Sequence, residues 1–299
     1  MPANASPKKI AVVVLTHNRL AMLKDSIKAM RAQTRKPDEI IVVNNDSTDG
    51  TDEWLATQPD LTVIRHENLG TGGFYTGIKA AFQKGHDWIW VHDDDSFPLP
   101  DALEALTRCP HFEKETTGFL ASLVLWKDGS VHNMNVMNPA FVSEWMGTVL
   151  DERCFRVTSA AWTGMMFSRV AVAKVGYPIK EFFLWSDDSE YSSRVGEHFR
   201  CYAVLDSKLI HQTKENVGAE NQTDPYDTRS TKVRCYYRNA VANGLLARVS
   251  LIRRLKRMAV FVTSEFIRAK SWGRKLAVLR FSAAGILLYL KIHKIDLHQ

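Results

Sequence analysis

Trp88-Ile89-Trp90-Val91-His92-Asp93-Asp94-Asp95-Ser96 runs an apolar, strand-forming segment straight into three successive carboxylates, with a turn following at Phe97 and Pro98. Carboxylates this close repel, and drying them costs several kcal/mol each unless a cation or ligand compensates. Side chains alternate along an extended chain, which sends Asp93 and Asp95 to one side and Asp94 to the other. An Asp-x-Asp pair of this kind suits a shared hard divalent ion. A solvated acidic turn or a helix cap is the plainer alternative.

Outward from this segment, strand and helix signals alternate. Ile10 to Leu15 reads as a buried strand, Leu20 to Gln33 as a helix, and Glu39 to Val43 as a second strand opening into Asn44-Asn45-Asp46-Ser47-Thr48-Asp49-Gly50. Asp52 to Ala56 reads as a short helix, Thr62 to Arg65 as a third strand, and Gly77 to Lys84 as the helix before the aspartate strand. This pattern predicts an α/β fold with a mostly parallel central sheet flanked by helices. Ligands bind such sheets at the carboxyl ends of the strands. Three of those ends are polar: Thr16-His17-Asn18-Arg19, Asn44-Asn45-Asp46 and Asp93-Asp94-Asp95.

A glycine-rich turn, Asn68-Leu69-Gly70-Thr71-Gly72-Gly73-Phe74-Tyr75-Thr76-Gly77, leads into the helix. Exposed amides at a helix start can seat phosphate. The turn fits neither the dinucleotide fingerprint, whose third glycine would fall on Tyr75, nor a P-loop, and a tight turn with no ligand is the alternative. Further on, Phe182-Phe183-Leu184-Trp185-Ser186-Asp187-Asp188-Ser189-Glu190 sets a second carboxylate pair behind an aromatic run, and His211 closes Lys208-Leu209-Ile210. A carboxylate partly dried by aromatic neighbours can act as a general base, and an imidazole at a strand end can complete a metal site. Asp187 or Asp188 could equally cap a helix beginning near Glu190.

The chain has 299 residues, 45% of them hydrophobic, enough for a sizeable core. The stretch from Met1 to Lys9 is short and polar, with no secretory pattern. Cys109, Cys154, Cys201 and Cys235 are widely spaced with no Cys-x-x-Cys pair, which argues against zinc and disulfides and suggests a reducing, cytoplasmic setting. The net charge of +6 is divided unevenly: residues 229–299 hold 16 Lys and Arg but only Glu265 and Asp296, leaving 23 basic against 31 acidic residues before them. Leu251, Leu255, Met258, Val262 and Phe266 recur at helical spacing in that basic tail, as on a helix lying on an anionic membrane surface or packed against the body. Ala283 to Leu290 is too short an apolar run to span a bilayer. Residues 1–228 therefore read as the main domain, in two halves that meet at about 98, the second running to about 214 with a flap over 213–228; 229–299 read as a helical tail.

Taken in order, Val12 to Arg19, Val42 to Gly50, Asn68 to Gly77, Trp88 to Pro98 and Phe183 to Arg194 resemble the family 2 glycosyltransferases of the GT-A fold, most closely their bacterial galactofuranosyltransferase and rhamnosyltransferase branch. The resemblance implies that Thr16, Asn18, Arg19 and Asn45 lie near the nucleoside, that Gly70, Gly72 and Gly73 form a donor-phosphate loop, and that Asp94 contacts the donor. It also implies metal ligation by Asp93, Asp95 and His211, catalysis by Asp188 as base, and acceptor contacts from Trp162, Gly164, Trp185, Asp187 and Glu190. Many relatives have Asp where this chain has Asn45, so the nucleobase stays open. Tyr236-Tyr237-Arg238-Asn239 recurs in such enzymes without an assigned role.

The implied reaction is an inverting transfer, with Mn²⁺ or Mg²⁺ stabilising the leaving diphosphate and Asp188 deprotonating the acceptor hydroxyl. The donor would be UDP-galactofuranose or dTDP-rhamnose, and the acceptor a lipid-linked surface glycan such as O-antigen, met at the inner face of the cytoplasmic membrane. Two rivals stand beside it. A haloacid-dehalogenase-like phosphatase also follows a strand with Asp-x-Asp, but on its first strand. A non-catalytic protein could bind an anionic surface through the tail, which lacks any nucleic-acid motif.

Overall fold

The computed structural model describes residues 7–140, 149–218, 230–295 and 297–298. The strands, in chain order, are β1 (Ile10–Thr16), β2 (Glu39–Asn45), β3 (Leu61–His66), β4 (Trp88–Asp93), β5 (Ser96–Pro98), β6 (Thr117–Leu125), β7 (Met137–Pro139), β8 (Cys154–Ala160), β9 (Met165–Ser168) and β10 (Arg200–His211). They form one ten-stranded sheet in the order β3-β2-β1-β4-β9-β6-β10-β8-β7, with β5 paired to β10. β3, β2, β1 and β4 are mutually parallel, as are β6 and β10, while β8 and β9 run against their neighbours. The expected mostly parallel sheet is present, and it is continuous across the two halves.

The pleat explains why β1 tolerates no polar residue before its end. Ala11, Val13 and Leu15 enter one core with Phe74, Ile78 and Val91, whereas Ile10, Val12 and Val14 enter another with Leu23, Ile27 and Trp90. Both faces are thus covered by helices, and the strand must be apolar throughout. Polar residues can appear only where the strand leaves the sheet, which places Thr16 and Asn45 at the same edge as Asp93.

Helix starts fall earlier than the periodicity suggests. The helix expected from Gly77 begins at Gly73, directly after a 3-10 turn over Gly70–Gly72. A side chain at Gly77 would bring a Cβ within 2.2 Å of Val13, so glycine here lets the helix lie close on β1. The helix expected near Glu190 begins at Asp187, entered through left-handed Ser186.

The tail folds into helices Thr231–Leu246, Leu251–Arg268 and Trp272–Ile292, and much of it packs on the body. Ala242, Leu288 and Ile292 close a small core over Ile179 and Phe182, and the Leu297 carbonyl accepts from the Tyr177 amide at 2.8 Å. Gly285 passes so close to Arg238 that a Cβ there would lie 2.4 Å from its carbonyl oxygen. The stripe on Leu251–Arg268 divides. Val262 and Phe266 pack toward Val233, Tyr237 and Val278, whereas Leu251, Ile252 and Leu255 are exposed. Among the described residues no helix is long and apolar enough to cross a membrane. Of the expected flap, residues 219–228 lie outside the described residues; its start is tied down by Trp126 donating to the Thr213 carbonyl at 3.1 Å.

Candidate active site

The end of β4 carries the first carboxylate group. The chain turns at Asp94 and Asp95, and still separates them as strand alternation predicts. Asp94 faces β1, accepting from the Thr16 hydroxyl at 2.8 Å and the His17 amide at 3.4 Å. Asp95 faces β10, where His211 Nε2 lies 3.2 Å from its Oδ1. Antiparallel pairing of β5 with β10 sets this contact, because it aligns Ser96 with His211.

One carboxylate oxygen each from Asp93 and Asp95 and a ring nitrogen of His211 lie within 4.8 Å of one another. Two hard oxygens and an imidazole fit a divalent cation such as Mn²⁺ or Mg²⁺. His211 is also oriented for ligation. Asn135 turns its amide nitrogen to the Trp162 carbonyl and its Oδ1 to His211 Nδ1 at 2.8 Å, so Nδ1 carries a proton, and Nε2, which donates to Asp95, would release its own to ligate a metal. Asn135 was not legible in the sequence as a site residue.

The electrostatics reflect crowding. Burial, with Asp95 next to it, pushes Asp93 up to about 7. Burial also raises Asp94 against the pull of Arg19. Asp95 is held below the ordinary carboxylate range: burial works against its charge, but the hydrogen bond and charge of His211, with Arg19, outweigh it. Arg19 was expected near the nucleoside. The structure sets its guanidinium on Asp94 at 3.1 Å and Asp95 at 2.6 Å, where it offsets their negative charge.

The second group is held by Trp162-Thr163. The Trp162 indole donates to Asp187 Oδ2 at 2.6 Å, and the Ser189 amide donates to Asp188 Oδ1 at 2.6 Å. The next residue reaches the first group, with the Asp93 amide donating to Thr163 Oγ1 at 3.1 Å. The Trp162 carbonyl holds Asn135 and, through it, His211. One dipeptide therefore ties together two carboxylate groups about ninety residues apart in the chain. Burial, reinforced by Asp187, pushes Asp188 up to about 7. Asp187 is also raised by burial, against the hydrogen bonds from Trp162 and Thr71.

Other expected residues have structural work instead. Trp162 is buried with its ring 4.7 Å from Phe74, so it positions carboxylates and is not an open platform for an acceptor. Gly164 docks its segment onto the sheet, its amide on the Val91 carbonyl at 2.8 Å. Glu190 gives both oxygens to Arg194, at 2.7 and 3.0 Å, which removes it from the acceptor side. Asn18 joins the β1 and β2 ends by accepting from the Thr48 amide at 2.7 Å. Asn45 donates to the Gly70 carbonyl at 2.7 Å.

The glycine turn also has an internal reason. The Gly70 amide donates to Asn68, Thr71 to the Phe183 carbonyl and Gly72 to the Leu69 carbonyl, so these donors already have partners. A Cβ on Gly70 would lie 1.9 Å from the Phe183 carbonyl oxygen, and one on Gly72 would lie 2.6 Å from that of Lys180. The glycines let the turn press against the segment that delivers Asp187 and Asp188. That segment is gripped from the other side by the Tyr236-Tyr237-Arg238-Asn239 stretch. Buried Asn239 Nδ2 lies 2.8, 2.7 and 2.9 Å from the carbonyls of Phe182, Leu184 and Trp185, and Arg238 donates to Phe182 at 2.6 Å. Trp185 is half-buried, edge-on to Tyr236 at 6.1 Å.

Comparison with known proteins agrees with this geometry. Galactofuranosyltransferase GlfT1 of Mycolicibacterium smegmatis is 40% identical over 106 residues, 34% of this chain and 35% of that protein. GlfT1 of Mycobacterium tuberculosis is 28% identical over 197 residues, 63% of this chain and 64% of that protein. The matches thus span less than two thirds of either relative. A structure of S. aureus TarS residues 1–349 in complex with UDP-GlcNAc shares the fold, with a TM-score of 0.60 at 16% identity over 91% of this chain and 79% of that one. GalNAc-T7 with UDP, GalNAc and Mn²⁺ does so with a TM-score of 0.59 at 14% identity over 95% of this chain and 58% of that one. The phosphatase alternative fails on topology, because β4 and not β1 carries the aspartates. The model of Glycosyl transferase family 2 matches residues 11–176, more than half of the chain, and the protein belongs to that family.

Proposed function

We propose that this protein transfers galactofuranose from UDP-galactofuranose to a hydroxyl of a lipid-linked glycan, with inversion at the anomeric carbon. The observation that supports the reading is the Trp162-Thr163 link, which runs from Asp93 of the metal-fitting triad to Asp187, the neighbour of the raised Asp188. The galactofuranosyltransferase relatives favour this donor over dTDP-rhamnose.

Asp188 is the base. Burial raises its pKa toward neutrality, so it accepts the acceptor hydroxyl proton as the oxygen attacks the anomeric carbon. Asp187, which accepts from the Trp162 indole, raises Asp188 further and strengthens its hold on that proton. Asp93, Asp95 and His211 would hold the divalent cation, which supplies positive charge to the departing diphosphate. Asp94, anchored by Thr16, stands at the donor side. Trp185, half-buried against Tyr236, offers the open part of its ring to the acceptor sugar.

The tail supports work at a membrane surface. Exposed Leu251, Ile252 and Leu255 alternate with exposed Arg253, Lys256 and Arg257, an arrangement suited to anionic lipid. The enzyme would then meet a lipid-carried acceptor on the inner leaflet.

The test is turnover by purified protein with UDP-galactofuranose, dTDP-rhamnose and UDP-glucose, each with Mn²⁺ and a synthetic lipid-linked acceptor. Product from UDP-galactofuranose alone supports the reading. Product from dTDP-rhamnose alone moves the donor assignment, and release of phosphate from simple esters without an acceptor defeats the transferase reading.

A further inference from the structure

A second group of metal-ligating side chains lies at the opposite end of the sheet. One ligand atom each from His111, Glu152 and Cys154 fall within 4.8 Å of one another. His111 Nε2 is 2.9 Å from Glu152 Oε2, and Cys154 Sγ is 3.7 Å from the same oxygen. Cys109, two residues before His111 and lining the same cavity as Glu152, offers its thiol as a fourth donor. We propose that Cys109, His111, Glu152 and Cys154 form a structural site for zinc.

Two thiols, an imidazole and a carboxylate are a four-donor set that zinc accepts in tetrahedral form. The donors arrive in pairs from two elements. Cys109 and His111 sit in the turn after helix Ala102–Arg108, and Glu152 and Cys154 lie at the entry to β8. The sequence hides this arrangement because no Cys-x-x-Cys occurs; the spacing becomes meaningful only when the two segments meet. The His111 ring is fixed by stacking on Tyr202 at 3.7 Å with planes 6° apart. Cys109, His111 and Cys154 are buried, while Glu152 is exposed and borders a cavity of about 330 Å³ shared with Glu104, Arg108, Cys109 and Asp206, a route for an ion from solvent.

The site is distinct from the triad at β4. Cys154 pairs with Val204 on β10, and His211 lies seven residues further along that strand, about 20 Å away at the rise of an extended chain. Binding would release the two thiol protons to solvent. It would also require the proton on His111 Nδ1, so exposed Lys114, now 3.1 Å from that nitrogen, would turn outward. The ion would staple the acceptor-half strands to the turn beneath them.

The test uses the full chain, purified under reducing conditions, stripped with chelator and titrated with Co²⁺ alone. Sulfur-to-cobalt charge transfer in the near ultraviolet reports thiolate ligation, which the oxygen and nitrogen donors at β4 cannot give. The expected result is an intense band saturating at one equivalent, retained in Asp95→Asn, displaced by zinc and absent from the Cys109→Ser, Cys154→Ser double variant. Glu152→Gln, an exposed change that spares the core, should weaken Co²⁺ binding about tenfold or more. Zinc should raise the melting temperature of the unmodified chain and not of the double variant. Absence of the band, its persistence in the double variant, or a Cys109–Cys154 disulfide in place of bound metal would overturn the assignment.

Discussion

The indole of Trp162 donates to Asp187 at 2.6 Å while Thr163, the next residue, accepts from the Asp93 amide at 3.1 Å, so one buried dipeptide touches both carboxylate groups. Replacing Trp162 with Phe keeps an aromatic ring against Phe74 but leaves the Asp187 carboxylate short of a donor. Loss of one partner from a buried charged hydrogen bond costs about 1–3 kcal/mol. Trp162→Phe should therefore lower kcat about tenfold to a hundredfold with little change in donor KM, as steady-state kinetics would show. An unchanged kcat would reduce Trp162 to a packing residue.

Asp188 gives the pH dependence. A base must be ionised to act, and its pKa is raised from 3.8 to about 7, so kcat/KM should climb with pH and level off above about 7. Asp188→Asn should lower kcat by about 10²- to 10⁴-fold and abolish that limb. Stability moves the other way. The native state holds this proton more tightly than the unfolded chain, so the unmodified protein loses stability as pH rises from 3.8 to about 7. Melting curves should show Asp188→Asn gaining on the unmodified protein across that window and the difference levelling off above it.

Metal dependence divides the triad from its support. EDTA should abolish transfer and Mn²⁺ restore it. Asn135→Ala leaves all three ligands in place but frees His211 Nδ1 from its partner, and loss of such an outer contact raises the metal requirement about 10- to 100-fold. Activity titrated against Mn²⁺ should shift in midpoint while approaching the same plateau.

Asn239 lies under the segment that delivers the base. Asn239→Leu keeps volume but strands the carbonyls of Leu184 and Trp185, while that of Phe182 keeps Arg238, with an expected loss of about 1–3 kcal/mol in urea unfolding and a fall in kcat larger than any change in donor affinity. If stability falls and kcat per folded molecule does not, Asn239 holds the fold without setting the base.

The exposed start of helix Leu251–Arg268 predicts binding to vesicles containing phosphatidylglycerol, weakened by salt, and absent with neutral vesicles. Leu251→Ser with Ile252→Ser should reduce it while leaving turnover of a soluble acceptor unchanged. Equal binding to neutral vesicles would remove the electrostatic component.

The sequence by itself determined the parallel half of the sheet, because β1, β2 and β4 are buried on both faces and must be apolar until they end, so their polar ends marked the site. It also singled out Asp93, Asp95, Asp187, Asp188 and His211 as candidates, since consecutive carboxylates behind apolar runs are costly without a partner. What it could not show were contacts between segments far apart in the chain. Asn135 on His211, Thr163 under Asp93 and Asn239 beneath Trp185 are polar residues of ordinary type, made significant only by the neighbours that folding gives them. The places of Glu190 and Trp162 were hidden for the same reason: Glu190 is paired with Arg194 and Trp162 is turned inward, and burial is a property of the packed molecule.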